Sequence, residues 1–256
     1  MSKGIIFDIK EFAINDGPGL RLTVFFKGCQ MNCIWCHNPE GLSFIPEKNN
    51  ISGNITGREW DAKELAQYIN KYKDVFISSK GGVTFSGGEP LAQSEFILEI
   101  LYFLKDIHII LDTSGYCNNE IFKEIITKCN IVYYDLKIID NEIHKKYTGI
   151  GNEKVIENLN ILAFSNTAYH IRIPLIQKIT DTEDNLNKLA DIIISLRNSP
   201  KKVDLLPYNK LAGGKYPAYN KIYSFGYENE ELNDNNIKNF IKRIEKETNI
   251  PVELMK

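Results

Sequence analysis

Three cysteines fall within eight residues, in the run Gly28-Cys29-Gln30-Met31-Asn32-Cys33-Ile34-Trp35-Cys36-His37-Asn38-Pro39. A C-x3-C-x2-C spacing lets three thiolates wrap one compact object. A 4Fe-4S cube carries four irons, each normally held by a thiolate. Three thiolates leave one iron open, and an open metal position can take a substrate or a chelating cofactor, as it does in catalytic zinc sites. Zinc held by the three thiolates and His37 is an alternative, but His37 adjoins Cys36 and the two reach one ion with difficulty. Three packed structural thiols are another, in a loop whose Gly, Asn and Pro borders suit a core poorly. Cys117 and Cys129 stand apart and read as plain thiols. An odd, clustered set in a long chain argues against a disulfide framework and for a reducing compartment.

Such groups act only if the fold gathers them. Runs rich in Val, Ile, Phe and Tyr predict strands at 22–27, 82–85, 107–111, 131–136, 170–175 and 203–206, with an edge strand near 4–9. Helical periodicity marks 90–105, 182–197 and 233–248, with Thr182 or Asp181 as a cap for the second. Alternating strands and helices imply parallel strands joined by right-handed crossovers. The 256 residues hold about six such units, so the expected fold is α/β, a partial (β/α)6 barrel in a single domain over residues 1–256. Residues 45–57 and 211–231 read as irregular surface segments.

In a parallel barrel, reactive groups sit at the C-terminal strand ends. There the chain places the cysteine loop, then Ser86-Gly87-Gly88-Glu89-Pro90, Asp112-Thr113-Ser114-Gly115, Asp135-Leu136-Lys137, Arg172 within its strand, and Pro207-Tyr208-Asn209. Each has a plainer reading. Gly87-Gly88 is either a tight turn or a backbone that lets a ligand amino group approach, with Glu89 accepting from it. In the plainer reading Asp112 only caps a turn. Asp135 and Lys137 share one strand face and form either an ion pair or a site for a carboxylate and a cation or hydroxyl. Arg172 between Ile171 and Ile173 is paired structurally or reaches a substrate. His108, His144 and His170 show no ligand spacing.

Composition excludes several classes. Lys+Arg number 31 against 33 Asp+Glu, a net charge of −2, so no global feature suggests nucleic acid or an anionic membrane. No apolar run reaches the length of a membrane span, and residues 1–10 show no signal-peptide pattern, which sets a cytoplasmic expectation.

Taken together, the motifs resemble those of glycyl-radical enzyme activating enzymes of the pyruvate formate-lyase activase type, in the radical S-adenosylmethionine (SAM) superfamily. The resemblance spans nearly the whole chain. It rests on Asp16-Gly17-Pro18-Gly19 with Arg21, the three cysteines with Cys36-His37-Asn38, Gly87-Gly88-Glu89-Pro90, Asp112-Thr113, Asp135-Leu136-Lys137, Arg172, and Leu205-Leu206-Pro207-Tyr208. It implies that Cys29, Cys33 and Cys36 hold one 4Fe-4S cluster whose fourth iron binds SAM. Reductive cleavage of SAM then makes a 5′-deoxyadenosyl radical, which takes the α-hydrogen of a glycine in a partner glycyl-radical enzyme. It implies SAM contacts at Trp35, Cys36, His37, Gly87, Gly88, Glu89, Asp135, Lys137 and Asn209, with the Trp35 face suited to the base. It implies a monovalent-cation site at Asp112, Thr113, Asp135 and the Tyr133 carbonyl, and contact of Asp16 and Arg172 with the partner's glycine loop. A flavodoxin or ferredoxin is implied as electron donor, and the chain is expected to act as a monomer. Asn209 stands where the family often has His, and Gln177-Lys178 where it has Pro-Gly. Many related activases carry a Cys-rich ferredoxin-like insert after the cysteine loop. Here residues 41–57 contain no cysteine, so one cluster is expected. A radical SAM enzyme acting on a small molecule is the alternative.

Overall fold

The computed structural model of this protein describes residues 2–226 and 230–255. Residues 227–229, within the irregular stretch expected at 211–231, lie outside the described residues. The chain runs β1 (Lys3–Ala13), β2 (Arg21–Phe26), the short pair β3 (Glu47–Lys48) and β4 (Ile55–Thr56), then β5 (Arg58–Asp61), α1 (Ala62–Asn70) and α2 (Lys73–Ser79). Strand–helix alternation follows: β6 (Gly82–Gly87), α3 (Ser94–Phe103), β7 (His108–Thr113), α4 (Asn119–Ile126), β8 (Ile131–Asp135), α5 (Asn141–Thr148) and α6 (Glu153–Phe164). The chain ends with β9 (Ala168–Leu175), α7 (Glu183–Ser195), β10 (Lys202–Pro207), α8 (Asp234–Thr248) and β11 (Val252–Leu254).

One nine-stranded sheet carries the order β5-β1-β2-β6-β7-β8-β9-β10-β11. From β2 to β11 every neighbouring pair is parallel, while β1 pairs antiparallel with both β2 and β5. The six expected strands all form; from β6 onward each is followed by helix, while β2 reaches α1 only after β3, β4 and β5. Two details differ. The expected edge strand is not an edge, because β5 pairs along it from Lys3↔Asp61 to Ile6↔Arg58. And β11 adds a seventh parallel strand beside β10.

Alternation along β9 explains how one sheet builds both a core and a lumen. Tyr169, Ile171, Ile173 and Leu175 are buried, while His170, Arg172 and Pro174 between them are half-buried. Residues of one parity pack under the helices; the others face inward. Tyr134 on β8 shows the outer layer at work, its hydroxyl donating to the Val155 carbonyl of α6 at 2.5 Å. Helix starts follow local chemistry. Thr182 accepts from the Asn185 N–H, and Asn233 from the Asn236 N–H. Asp181 is not a cap: its two oxygens accept from the Lys178 and Asn233 N–H groups, tying α7 and α8 together at their starts. The helix expected over 90–105 opens as a 3-10 turn, Pro90–Gln93, before α3.

Candidate active site

The cysteine loop leaves β2 at the top of the parallel sheet and is fixed on three sides. Toward β6, the Gly28 N–H donates to the Gly41 carbonyl (2.8 Å), the Glu89 N–H to the Gly28 carbonyl (2.9 Å) and the Gly88 N–H to the Phe26 carbonyl (2.8 Å). The backbones touch here: a Cβ on Gly88 would lie 2.3 Å from the Gly41 oxygen and 2.6 Å from the Gly28 oxygen. The glycine pair after β6 thus seats the cysteine loop itself. At the C-terminal end of α5, the Tyr147 and Thr148 carbonyls accept from the Ile34 and Asn32 N–H groups at 3.1 and 2.7 Å. On the third side the buried Tyr216 hydroxyl donates to the Cys36 carbonyl at 2.8 Å.

All five cysteines are free thiols; Cys29, Cys33 and Cys36 are partly exposed, while Cys117 and Cys129 are buried elsewhere. Burial pushes the Cys29 thiol up, with Glu89 adding to the rise. Burial likewise raises Cys33 to about 12, against the pull of Lys137. Among the described residues no three His, Cys, Asp or Glu converge on a point that would hold a single metal ion. By donor type and number, three free thiols on one short loop match three of the four irons of a 4Fe-4S cube.

Glu89 lies beneath this loop and is 2% exposed. Its Oε1 accepts from Thr113 Oγ1 (2.5 Å) and the Leu91 N–H (3.1 Å), and its Oε2 from Ser114 Oγ (2.5 Å) and the Ser114 N–H (2.9 Å). Four accepted bonds fill a carboxylate. Burial raises its pKa against these four donors. Both oxygens of Glu89, expected to accept from a ligand amino group, are bonded within the chain in this arrangement. The side chain latches the end of β6 to the end of β7, and its neighbours' backbone is what faces the loop.

The lumen holds the remaining polar groups. Arg172 NH1 donates to Asp112 Oδ1 at 2.7 Å, and Ser86 Oγ to Asp112 Oδ2 at 2.8 Å. Burial pushes the Asp112 carboxyl up against the pull of Arg172. Lys137 Nζ lies 3.1 Å from Asp135 Oδ2. Burial would lower Lys137, but Asp135 and Cys33 outweigh it and raise it. The guanidinium of Arg172 sits 5.4 Å from the Tyr133 ring centre. The donors expected for a monovalent cation are thus engaged: Asp112 with Arg172, Asp135 with Lys137, and Thr113 with Glu89. Asp16 enters from the loop before β2, its Oδ2 accepting from Thr23 Oγ1 (2.6 Å) and its carbonyl from Thr84 Oγ1 (2.8 Å). Arg21, 1% exposed, holds that loop by donating to Thr84 Oγ1, the Val83 carbonyl and the Pro18 carbonyl. Burial lowers Arg21 to about 10.

Not every expected residue joins the cluster. Trp35 is 6% exposed and belongs to a small apolar cluster with Ile138, Ile176, Ile179 and Phe225. Asn209 is exposed and its Oδ1 accepts from the Leu211 N–H two residues on, closing its own turn. His37 is exposed beside Cys36. Lys178 takes φ 61, the left-handed conformation that glycine adopts without strain, and so replaces the expected glycine in shape. His144 is not at the surface: buried, it meets the Ile150 carbonyl and Thr148 Oγ1, bracing the turn that docks on the cysteine loop. Sequence reading missed Gly28, Gly41 and Tyr216. A glycine just before the first cysteine, at φ 99, was the available signal for one of them.

Comparison with known proteins agrees with this geometry. The Radical SAM superfamily matches residues 23–190. The pyruvate formate-lyase-activating enzyme of Clostridium pasteurianum is 38% identical over 231 residues, covering 87% of this chain and 90% of its own. The trans-4-hydroxy-L-proline dehydratase activating enzyme of Clostridioides difficile is 32% identical over 279 residues, covering 89% and 90%. The second alignment is longer for a similar share of this chain, so that relative carries residues without a counterpart here. Among solved structures, a domain of pyruvate-formate lyase-activating enzyme from Bacteroides vulgatus superposes with TM-score 0.56 at 27% identity, covering 69% of this chain and 99% of that one. A three-cysteine loop on a partial parallel barrel, with relatives of this identity along nearly the whole chain, places the protein in the radical SAM superfamily, among the glycyl-radical enzyme activating enzymes.

Proposed function

We propose that this chain installs the radical of a partner glycyl-radical enzyme, and that it does so with a single 4Fe-4S cluster held by Cys29, Cys33 and Cys36. The observation that carries the reading is the cysteine loop itself, three free thiols braced by the end of β6, by the last residues of α5 and by Tyr216, at the mouth of a polar lumen. When bound, the cluster and SAM supply one-electron reductive cleavage and a hydrogen-abstracting radical.

The chain's own groups then do the rest. Lys137, close enough to Cys33 to be felt by it, would meet the SAM carboxylate by exchanging Asp135 for it. Cys36, His37 and the backbone at Gly87 and Gly88 border the same space. Arg172 neighbours Tyr133, Tyr133 neighbours Arg21 and Arg21 neighbours Asp16, which supports reading Arg172 and Asp16 as the contacts for the partner's glycine loop. Asp112, Thr113, Asp135 and the Tyr133 carbonyl would hold a monovalent cation once the two carboxylates exchange Arg172 and Lys137 for it. A flavodoxin or ferredoxin as donor, and a monomer working in the cytoplasm without air, complete the reading. No helix among the described residues is long and apolar enough to cross a membrane.

Anaerobic reconstitution with iron and sulfide tests this. The reading expects about four irons per chain and dithionite-dependent release of 5′-deoxyadenosine, both lost in Cys33→Ala. Retained cleavage in that variant, or about eight irons per chain, would contradict the ligand set.

A further inference from the structure

Glu47, in the cysteine-free segment 41–57, is met by two lysines from distant parts of the sequence. Lys27, 1% exposed, is the last residue before Gly28; its Nζ donates to Glu47 Oε2 at 2.8 Å and to the Glu40 carbonyl at 2.7 Å. Lys221 comes from the far end of the sequence; its Nζ meets Glu47 Oε1 and Oε2 at 2.9 and 3.0 Å and the Pro39 carbonyl at 2.9 Å. The two ammonium groups therefore hold adjacent carbonyls just after Cys36-His37-Asn38, with one carboxylate between them. Gly57 makes room: a Cβ there would lie 2.8 Å from Lys27 Cδ.

The same clamp binds the segment 212–221 down. Asn50 N–H donates to the Ala218 carbonyl at 2.7 Å, and Tyr216, five residues before Lys221, donates to the Cys36 carbonyl. Lys215 Nζ meets Glu40 Oε1 at 2.8 Å. Without Glu47 the two ammonium groups would face each other unscreened, and a buried charge that loses its partner is costly. The contacts that close the segment over the third cysteine would loosen together.

We propose that Glu47 is a positioning residue: by bridging Lys27 and Lys221 it holds residues 212–221 over the Cys36 end of the cysteine loop and fixes the site on that side. This rests on the function proposed above, but the clamp can be tested apart from it. Hydrogen exchange is measured on the full cluster-free chain for wild type, Glu47→Gln and Lys221→Met. The proposal expects backbone amides of 212–221 to exchange about tenfold faster in both variants, with β6 to β9 unchanged and the double variant no worse than either single one. In reconstituted protein, KM for SAM should rise more than kcat falls, and Glu47→Asp should recover part of the loss. Exchange within about twofold of wild type at 212–221, or acceleration spread evenly over the barrel, would overturn the clamp. A wild-type chain that binds no cluster or SAM would instead defeat the functional reading, while the exchange result still decides the clamp.

Discussion

Arg172 on β9 and Asp112 on β7 form a 2.7 Å ion pair across the intervening strand β8, with the Tyr133 ring of β8 beside the guanidinium. Both side chains are about a quarter exposed, so the pair is neither a surface bridge nor fully dry. Removing one member strands the other. Arg172→Met should lower unfolding free energy by about 1–3 kcal/mol, and Arg172→Met with Asp112→Asn should recover much of it. Denaturant unfolding of the four proteins checks this; additive losses would mean that the pair does not act as a unit.

Glu89 invites a different test, because its four hydrogen bonds join two strand ends under the cysteine loop. Glu89→Gln places an amide donor against donors, leaving Ser114 or Thr113 without an acceptor. A loss of about 2–3 kcal/mol in stability is expected. If Glu89 served a ligand alone, the substitution would weaken SAM binding and leave the melting temperature unchanged.

Gly88→Ala should be worse than its small size suggests. The added methyl would sit 2.3 Å from the Gly41 oxygen, a backbone atom that cannot move without shifting the cysteine loop. Iron bound per chain after reconstitution should fall severalfold. Gly214→Ala, where nothing lies within 4 Å of the new carbon, is the control and should bind iron as the wild type does. Equal iron in both variants would separate the glycine contact from cluster assembly.

The Glu47 clamp carries a pH signature. Burial would raise the Glu47 carboxyl, but the bonds from Lys27 and Lys221 outweigh it and hold it below its ordinary 4.5. The folded state therefore binds this proton less readily than the unfolded one. The contribution is present in full above 4.5 and fades as pH falls below it, through the lower folded-state value. The stability gap between wild type and Glu47→Gln should accordingly shrink on acidification. A gap that stays constant from neutral pH to well below 4.5 would show that the charge of Glu47 contributes nothing.

The strands of the barrel were legible because each is a short apolar run ending in Gly or a polar group, and all six form. The helices α4, α5 and α6 were not read out, since their short apolar faces are broken by Lys, Glu and Asn. Strand β5, Arg58–Asp61, shows no alternation strong enough to mark it; it forms because β1 offers an open edge. In the site, the cysteine spacing located the loop directly. What supports the loop was hidden: the Gly28–Gly41–Gly88 contact joins distant segments through backbone atoms, and Tyr216 lies 180 residues from the carbonyl it holds. Trp35 and Glu89 carried plausible ligand roles by type, yet each is enclosed by partners that only tertiary packing supplies.

The most direct test of the central claim follows a hydrogen atom. A partner glycyl-radical enzyme of the pyruvate formate-lyase type, with its glycines deuterated at the α-carbon, is mixed anaerobically with reconstituted protein, SAM and reductant. The account predicts a glycyl-radical EPR signal on the partner and deuterium in the 5′-deoxyadenosine that forms with it. Deoxyadenosine free of deuterium, with no radical on such partners, would contradict a glycine substrate and favour a small molecule in its place.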